Sequence, residues 1–96
     1  PAFYGEQRSN CWLSTIVVTP ESNVSALDII LALDEANIEA RPLWKPMHLQ
    51  PVFANVPMYV NGVSEALFND GLCLPSGPMC TDDDIRRVVK VIINNI

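Results

Sequence analysis

The sequence predicts an α+β fold, a two-layer sandwich in which a small three-stranded sheet carries helices on one face. Short runs rich in β-branched and aromatic residues alternate with longer stretches of helical periodicity. Their order is strand, helix, strand, proline-rich loop, helix, strand, helix, which suits two packed layers. With 96 residues, 49% of them hydrophobic and 18% charged, residues 1–96 make a single domain with a modest core. That balance excludes a disordered chain and a coiled coil.

Residues 12–19 (WLSTIVVT) read as the first strand, ended by Pro20. The apolar run is nearly continuous, so cover on both faces is expected. Asn23 or Ser25 can cap the following helix, which runs to about Asn37, itself a plausible C-cap. Leu27, Ile30 and Leu31 form one apolar row, and Ala26, Ile29, Ile30 and Leu33 a second. Ser25, Asp28 and Glu35 leave only a narrow polar stripe, so the helix is expected to bury a wide arc.

Residues 38–41 give a short second strand stopped by Pro42. Pro42, Pro46, Pro51 and Pro57 then exclude a long regular element over 42–57. The same stretch carries Leu43, Trp44, Met47, Leu49, Val52 and Phe53. Stiff backbone with apolar bulk predicts an ordered loop lying against a neighbour, not a linker. A helix is expected over about 60–69, with Gly71 as its left-handed stop. Residues 72–74 form the third strand, closed by the Pro75-Ser76-Gly77-Pro78 turn.

Thr81 begins the last helix. Thr81 and Asp84 fit a capping box, and Asp82, Asp83 and Asp84 lie where the helix dipole favours negative charge. Ile85, Val88, Val89, Ile92 and Ile96 have the spacing of a packed face. Asp82–Arg86 and Asp83–Arg87 are i, i+4 pairs worth about 0.3–0.5 kcal/mol each.

Charge and cysteine usage narrow the function classes. The net charge is −5, and three of the six basic residues (Arg86, Arg87, Lys90) share the last helix. Nucleic acid is therefore not an expected partner, since phosphate binding needs clustered Lys and Arg. Cys11, Cys73 and Cys80 are odd in number and widely spaced, unlike a disulfide framework. No CxxC or His/Cys cluster suggests a metal site. Without a signal-like segment or a long apolar run, a cytoplasmic protein with reduced thiols and no membrane partner is expected.

Few side chains offer chemistry. His48 is the only histidine, and a lone loop histidine is more often a structural hydrogen-bonding group than a catalyst. Lys45 and Lys90 are the only lysines; neither has a phosphate cradle or a partner acid of the kind a Schiff-base lysine requires. Arg41 can bind a carboxylate or phosphate in a forked manner, or form a structural ion pair with Glu39 or Glu6. Cys73 reads as a small buried residue, and none of the cysteines has a base nearby in sequence. Ser76 lacks the GxSxG context of a nucleophile elbow. The Asp82–Asp84 run is explained by a helix start. These residues make no self-sufficient active site.

The stretch IEARPLWKPMHLQPVF (38–53) resembles a signature of the C-terminal domain of DegT-type aminotransferases. SEALF (64–68), GLCLPSG (71–77) and TDDDI (81–85) are similar to that family's closing segment in the same order, and NCWL (10–13) to the strand that opens the domain. The resemblance implies the small domain of a fold-type-I enzyme dependent on pyridoxal phosphate (PLP), which aminates keto groups on nucleotide-linked sugars. It further implies a homodimer whose N-terminal domain, absent from these residues, holds PLP on a lysine. No cofactor-binding or catalytic residue is then expected in this chain. The resemblance places His48 at the substrate cleft, with Arg41, Trp44 and Ser76 as further candidates. A free-standing binding module of the same fold is the competing reading, since fold alone does not fix function.

Overall fold

The computed structural model describes Gly5 and residues 9–96. Strands β1 (Ser14–Val17), β2 (Arg41–Pro42) and β3 (Gly71–Leu74) form one sheet in the order β1-β3-β2, with both outer strands antiparallel to β3. The helices are α1 (Ala26–Glu35), α2 (Val63–Asp70) and α3 (Asp82–Asn94). Between β2 and α2 the chain makes only two short 3-10 turns, Met47–Leu49 and Pro51–Phe53, as its prolines dictate.

Register explains the core. Ile16 pairs with Leu72 and Ser14 with Leu74, so Ile16, Leu72 and Leu74 share the face on which the core is built. Ala26, Ile29 and Leu33 of α1, Ile38, and Val88 of α3 complete the buried set around Leu72. Val18, Val91 and Ile92 pack at its margin.

Several expectations change in detail. β1 is shorter than expected, and Val17 is exposed because, among the described residues, no layer covers the face of the sheet opposite the core. α1 buries one apolar row rather than a wide arc, since Leu27 and Leu31 point past the sheet into solvent. On α3, Val88 is buried and Ile92 half-buried, whereas Ile85 and Val89 stay exposed because so small a sheet covers one stripe of the helix, and Ile96, exposed too, lies beyond the helix end. The second strand lies at residues 41–42, while Ile38 turns into the core.

Gly71 is not a left-handed stop. Its φ is −108° and it is the first residue of β3. Glycine is needed there for space: a Cβ would lie 2.5 Å from the Leu67 carbonyl oxygen and overlap the Leu43 side chain. The left-handed glycine of this helix is Gly62, at φ 83° before its first turn.

α1 ends in a Schellman motif. Asn37 adopts φ 55°, its N–H donates to the Asp34 carbonyl (2.8 Å), and the Ile38 N–H donates to the Leu33 carbonyl (2.9 Å). This return turn drives Ile38 into contact with the core beside Leu33. The pairs expected on α3 are rearranged. Arg86 reaches Asp83 (2.7 Å), one residue closer than i, i+4, and the Arg87 guanidinium donates to the Ala36 carbonyl at the end of α1.

Both long helices start in capping boxes. The Asp28 N–H donates to the Ser25 hydroxyl (3.2 Å) and the Ser25 N–H to the Asp28 carboxylate (2.8 Å). Thr81 and Asp84 repeat the arrangement at 3.2 and 2.9 Å. The backbone N–H and hydroxyl of Ser25 hold Asp28 below the ordinary 3.8. The hydroxyl and N–H of Thr81 do the same for Asp84. A carboxyl depressed by folding stabilises fully above its unfolded value and loses that contribution as pH falls through the folded one. Acid titration followed by circular dichroism is therefore expected to show helix loss beginning below about pH 4. Asp84→Asn should make that limb shallower; an unchanged limb would place the acid sensitivity elsewhere.

Candidate functional site

A groove of about 900 Å3 forms at the end of the sheet where β1 and β2 begin and β3 finishes. Its walls come from the segment before β1, from residues 37–44 on either side of β2, from Phe68 of α2, from the end of β3 and the turn after it, and from the first turns of α3. Leu13, Pro42, Leu43, Phe68, Leu74 and Pro75 make it largely apolar. Trp12 and Trp44 meet at its rim with ring centroids 5.8 Å apart and planes inclined by 42°.

Three of the four candidate residues, Arg41, Trp44 and Ser76, line this groove together. Arg41 is engaged by Glu39, through Nε to Oε1 at 2.7 Å and Nη2 to the same oxygen at 2.5 Å. Both partners are exposed, so this pair contributes little to stability and can open to another anion. Glu6, the alternative acid, lies outside the described residues. The Ser76 hydroxyl accepts from the Ser14 N–H (2.7 Å) and donates to the Leu74 carbonyl (3.0 Å). It thereby extends the β1–β3 ladder past its last paired residue. Cys73, expected to be buried, is half-buried in the groove wall; all three cysteines are free thiols.

His48 lies apart from the groove, on the Met47–Leu49 turn. Its Nε2 is 2.7 Å from Glu65 Oε1 on α2. The histidine side chain is 12% exposed and that of the glutamate 43%. Sequence reasoning missed Glu65. Seventeen residues separate the two, and an acid in a helix first turn already has a local explanation in the helix dipole.

The residues present do not fit PLP. Lys45 and Lys90 are both exposed, without the desolvated pocket that prepares a lysine for a Schiff base. Among the described residues no cluster of three or more His, Cys, Asp or Glu is placed to hold a metal, and no helix is long and apolar enough to cross a membrane.

The sequence profile of the DegT/DnrJ/EryC1/StrS aminotransferases matches residues 2–93, nearly the whole chain. The chain belongs to this family. EpsN of Bacillus subtilis (strain 168), provisionally named a pyridoxal phosphate-dependent aminotransferase, is 44% identical over 95 residues, covering 95% of this chain and 24% of its own length. GDP-perosamine synthase of Caulobacter vibrioides is 32% identical over 81 residues, covering 84% of this chain and 22% of its own length. The chain thus spans less than a quarter of the length of these curated relatives. Among solved structures, Spr1654 of Streptococcus pneumoniae, provisionally named a sugar aminotransferase and solved in its PMP form, superposes with a TM-score of 0.68 at 20% identity. The match covers 82% of this chain and 20% of that one, and it shows the shared fold of a fold-type-I aminotransferase domain. The α+β sandwich read from the DegT-family sequence is the fold observed.

Proposed function

We propose that this chain is the C-terminal small domain of a PLP-dependent aminotransferase that transfers an amino group to a keto sugar linked to a nucleotide. The observation that carries the proposal is the family match over residues 2–93 in a chain less than a quarter as long as its relatives. In this reading the cofactor, its lysine and the acid facing the pyridine nitrogen belong to an N-terminal domain, and the domain described here is inactive alone. The whole enzyme is a cytoplasmic homodimer. Arg41, Trp44, Ser76 and His48 lie on the substrate side of the cleft, the first for anionic groups and the second for a planar or apolar part of the ligand.

The surface supports a missing neighbour. Val52 is 76% exposed, and Met47, Met58, Val60, Val63 and Leu67 are exposed in the same loop-and-α2 region. Apolar surface on that scale marks an interface. The decisive experiment compares the 96-residue chain with the same chain joined to a lysine-bearing domain of the family. With PLP, an amino donor and a GDP-linked keto sugar, only the joined form is expected to transaminate. Activity in the short chain alone would overturn the reading, and tight binding of a sugar nucleotide by it would favour a free-standing binding module.

The loop is expected to exchange its amides quickly in the isolated chain. Beyond Leu43, whose N–H donates to the Gly71 carbonyl, its backbone hydrogen bonds are local, such as Leu49 N–H to the Pro46 carbonyl and Phe53 N–H to the Gln50 carbonyl. Hydrogen exchange should show residues 44–56 less protected than β3 and α3. Equal protection in a monomer would mean that the loop needs no cover.

A further inference from the structure

We propose that Glu65 is a positioning residue for His48, fixing the ring so that Nδ1 accepts a hydrogen bond from a sugar hydroxyl of the substrate. This rests on the reading that the 42–53 loop faces the substrate cleft, and it adds a residue and an atomic role to it. An ionised carboxylate can only accept, so the 2.7 Å contact requires the proton on His48 Nε2. In the neutral ring Nδ1 then carries a lone pair, and among the described residues it has no hydrogen-bond partner.

The setting separates this contact from ordinary surface pairing. The two other ion pairs among the described residues, Arg41–Glu39 and Arg86–Asp83, join side chains 72–90% exposed. His48 is 12% exposed, so its bond to Glu65 is partly shielded from water and correspondingly stronger. The backbone beneath the ring is also held. Pro46 is buried immediately before the 3-10 turn, and the Gln50 side chain donates to the Lys45 carbonyl (3.1 Å). An imidazole with anchored backbone, one nitrogen clamped and the other unengaged is oriented for a ligand. A carboxylate behind it sets tautomer and ring angle, as in other His–carboxylate pairs.

The test compares Glu65→Gln, whose amide oxygen can still accept from Nε2, with Glu65→Met, which keeps the volume and helix propensity but cannot accept. His48 is the chain's only histidine, so long-range 1H–15N spectra of the 96-residue chain report one ring. Glu65→Met is expected to mix the tautomers and broaden the ring signals, and Glu65→Gln to keep the Nε2–H form. In the holoenzyme carrying this domain, Glu65→Met should raise KM for a GDP-linked keto sugar about tenfold, the size expected for one neutral hydrogen bond, with KM for the amino donor unchanged. Glu65→Gln should recover part of that loss. Adding Glu65→Met to His48→Asn should cost nothing more, because the glutamate acts through the histidine.

An unchanged ring signal in Glu65→Met, or an unchanged sugar KM in an active holoenzyme, would overturn the proposal. So would equal losses for both substrates, which would mark a purely structural contact. A wild-type holoenzyme without aminotransfer to any nucleotide sugar would instead overturn the function proposed above.

Discussion

Leu72→Ala is expected to destabilise the chain by about 2–5 kcal/mol, the range for truncating a fully buried leucine. Leu72 is the middle of the problem this sequence has to solve. It has no exposed surface, sits on the central strand, and pairs with Ile16 on one side and Pro42 on the other. The helix row of Ala26, Ile29 and Leu33 covers it, with Val88 closing from α3. Among the described residues only six are buried hydrophobics, so little packing remains to compensate. A domain of this size has about 5–15 kcal/mol of stability in all, and the substitution would remove a large share. Urea unfolding is the measurement: the midpoint should fall with the slope unchanged. Val52→Ala is the matched control, since a side chain 76% exposed should change the isolated chain by no more than about 0.5 kcal/mol. Similar losses at both positions would refute this account of the core.

The parts of the fold legible in the sequence are those encoded over a few neighbouring residues. Thr81 and Asp84 stand three apart before an apolar repeat, and the capping box forms as the spacing requires. Four prolines in sixteen residues forbid a long element, and none appears. What the sequence left unread depends on partners distant along the chain. Arg87 has an acid four residues away, yet its guanidinium goes to the end of α1, a contact 51 residues away in sequence. Leu27 and Leu31 have the spacing of a buried row, but whether a row is buried depends on how much sheet lies beneath it.

The candidate site divides in the same way. Arg41, Trp44 and Ser76 are candidates through the family resemblance, and β-pairing brings them to one groove, because Arg41 pairs with Cys73 three residues before Ser76. His48 stands out in the sequence as the only histidine. Its partner Glu65 carried no local signal, so the dyad appears only when α2 is packed against the loop.

Gly71→Ala is expected to cost about 1–3 kcal/mol, the penalty of forcing extra volume into a filled site. The backbone at Gly71 is ordinary extended chain that alanine adopts freely, so the whole effect is steric. Two neighbours receive the new methyl: the Leu43 side chain, which can rotate away, and the Leu67 carbonyl oxygen, 2.5 Å off, which belongs to the helix backbone and cannot. That difference predicts the behaviour of a double variant. Leu43→Ala should relieve the first overlap and leave the second, so Gly71→Ala in the Leu43→Ala background should cost less than in the wild type but still more than zero. The four unfolding midpoints of this cycle check it. Complete relief would mean that α2 shifts as a body on β3. No relief would mean that the carbonyl contact alone sets the requirement for glycine. Because Gly71 joins α2, which carries Glu65, to β3 with no intervening loop, a shift of α2 would also move the carboxylate away from His48. The single histidine resonance of Gly71→Ala would then change along with stability, linking the packing of the sheet to the geometry of the loop.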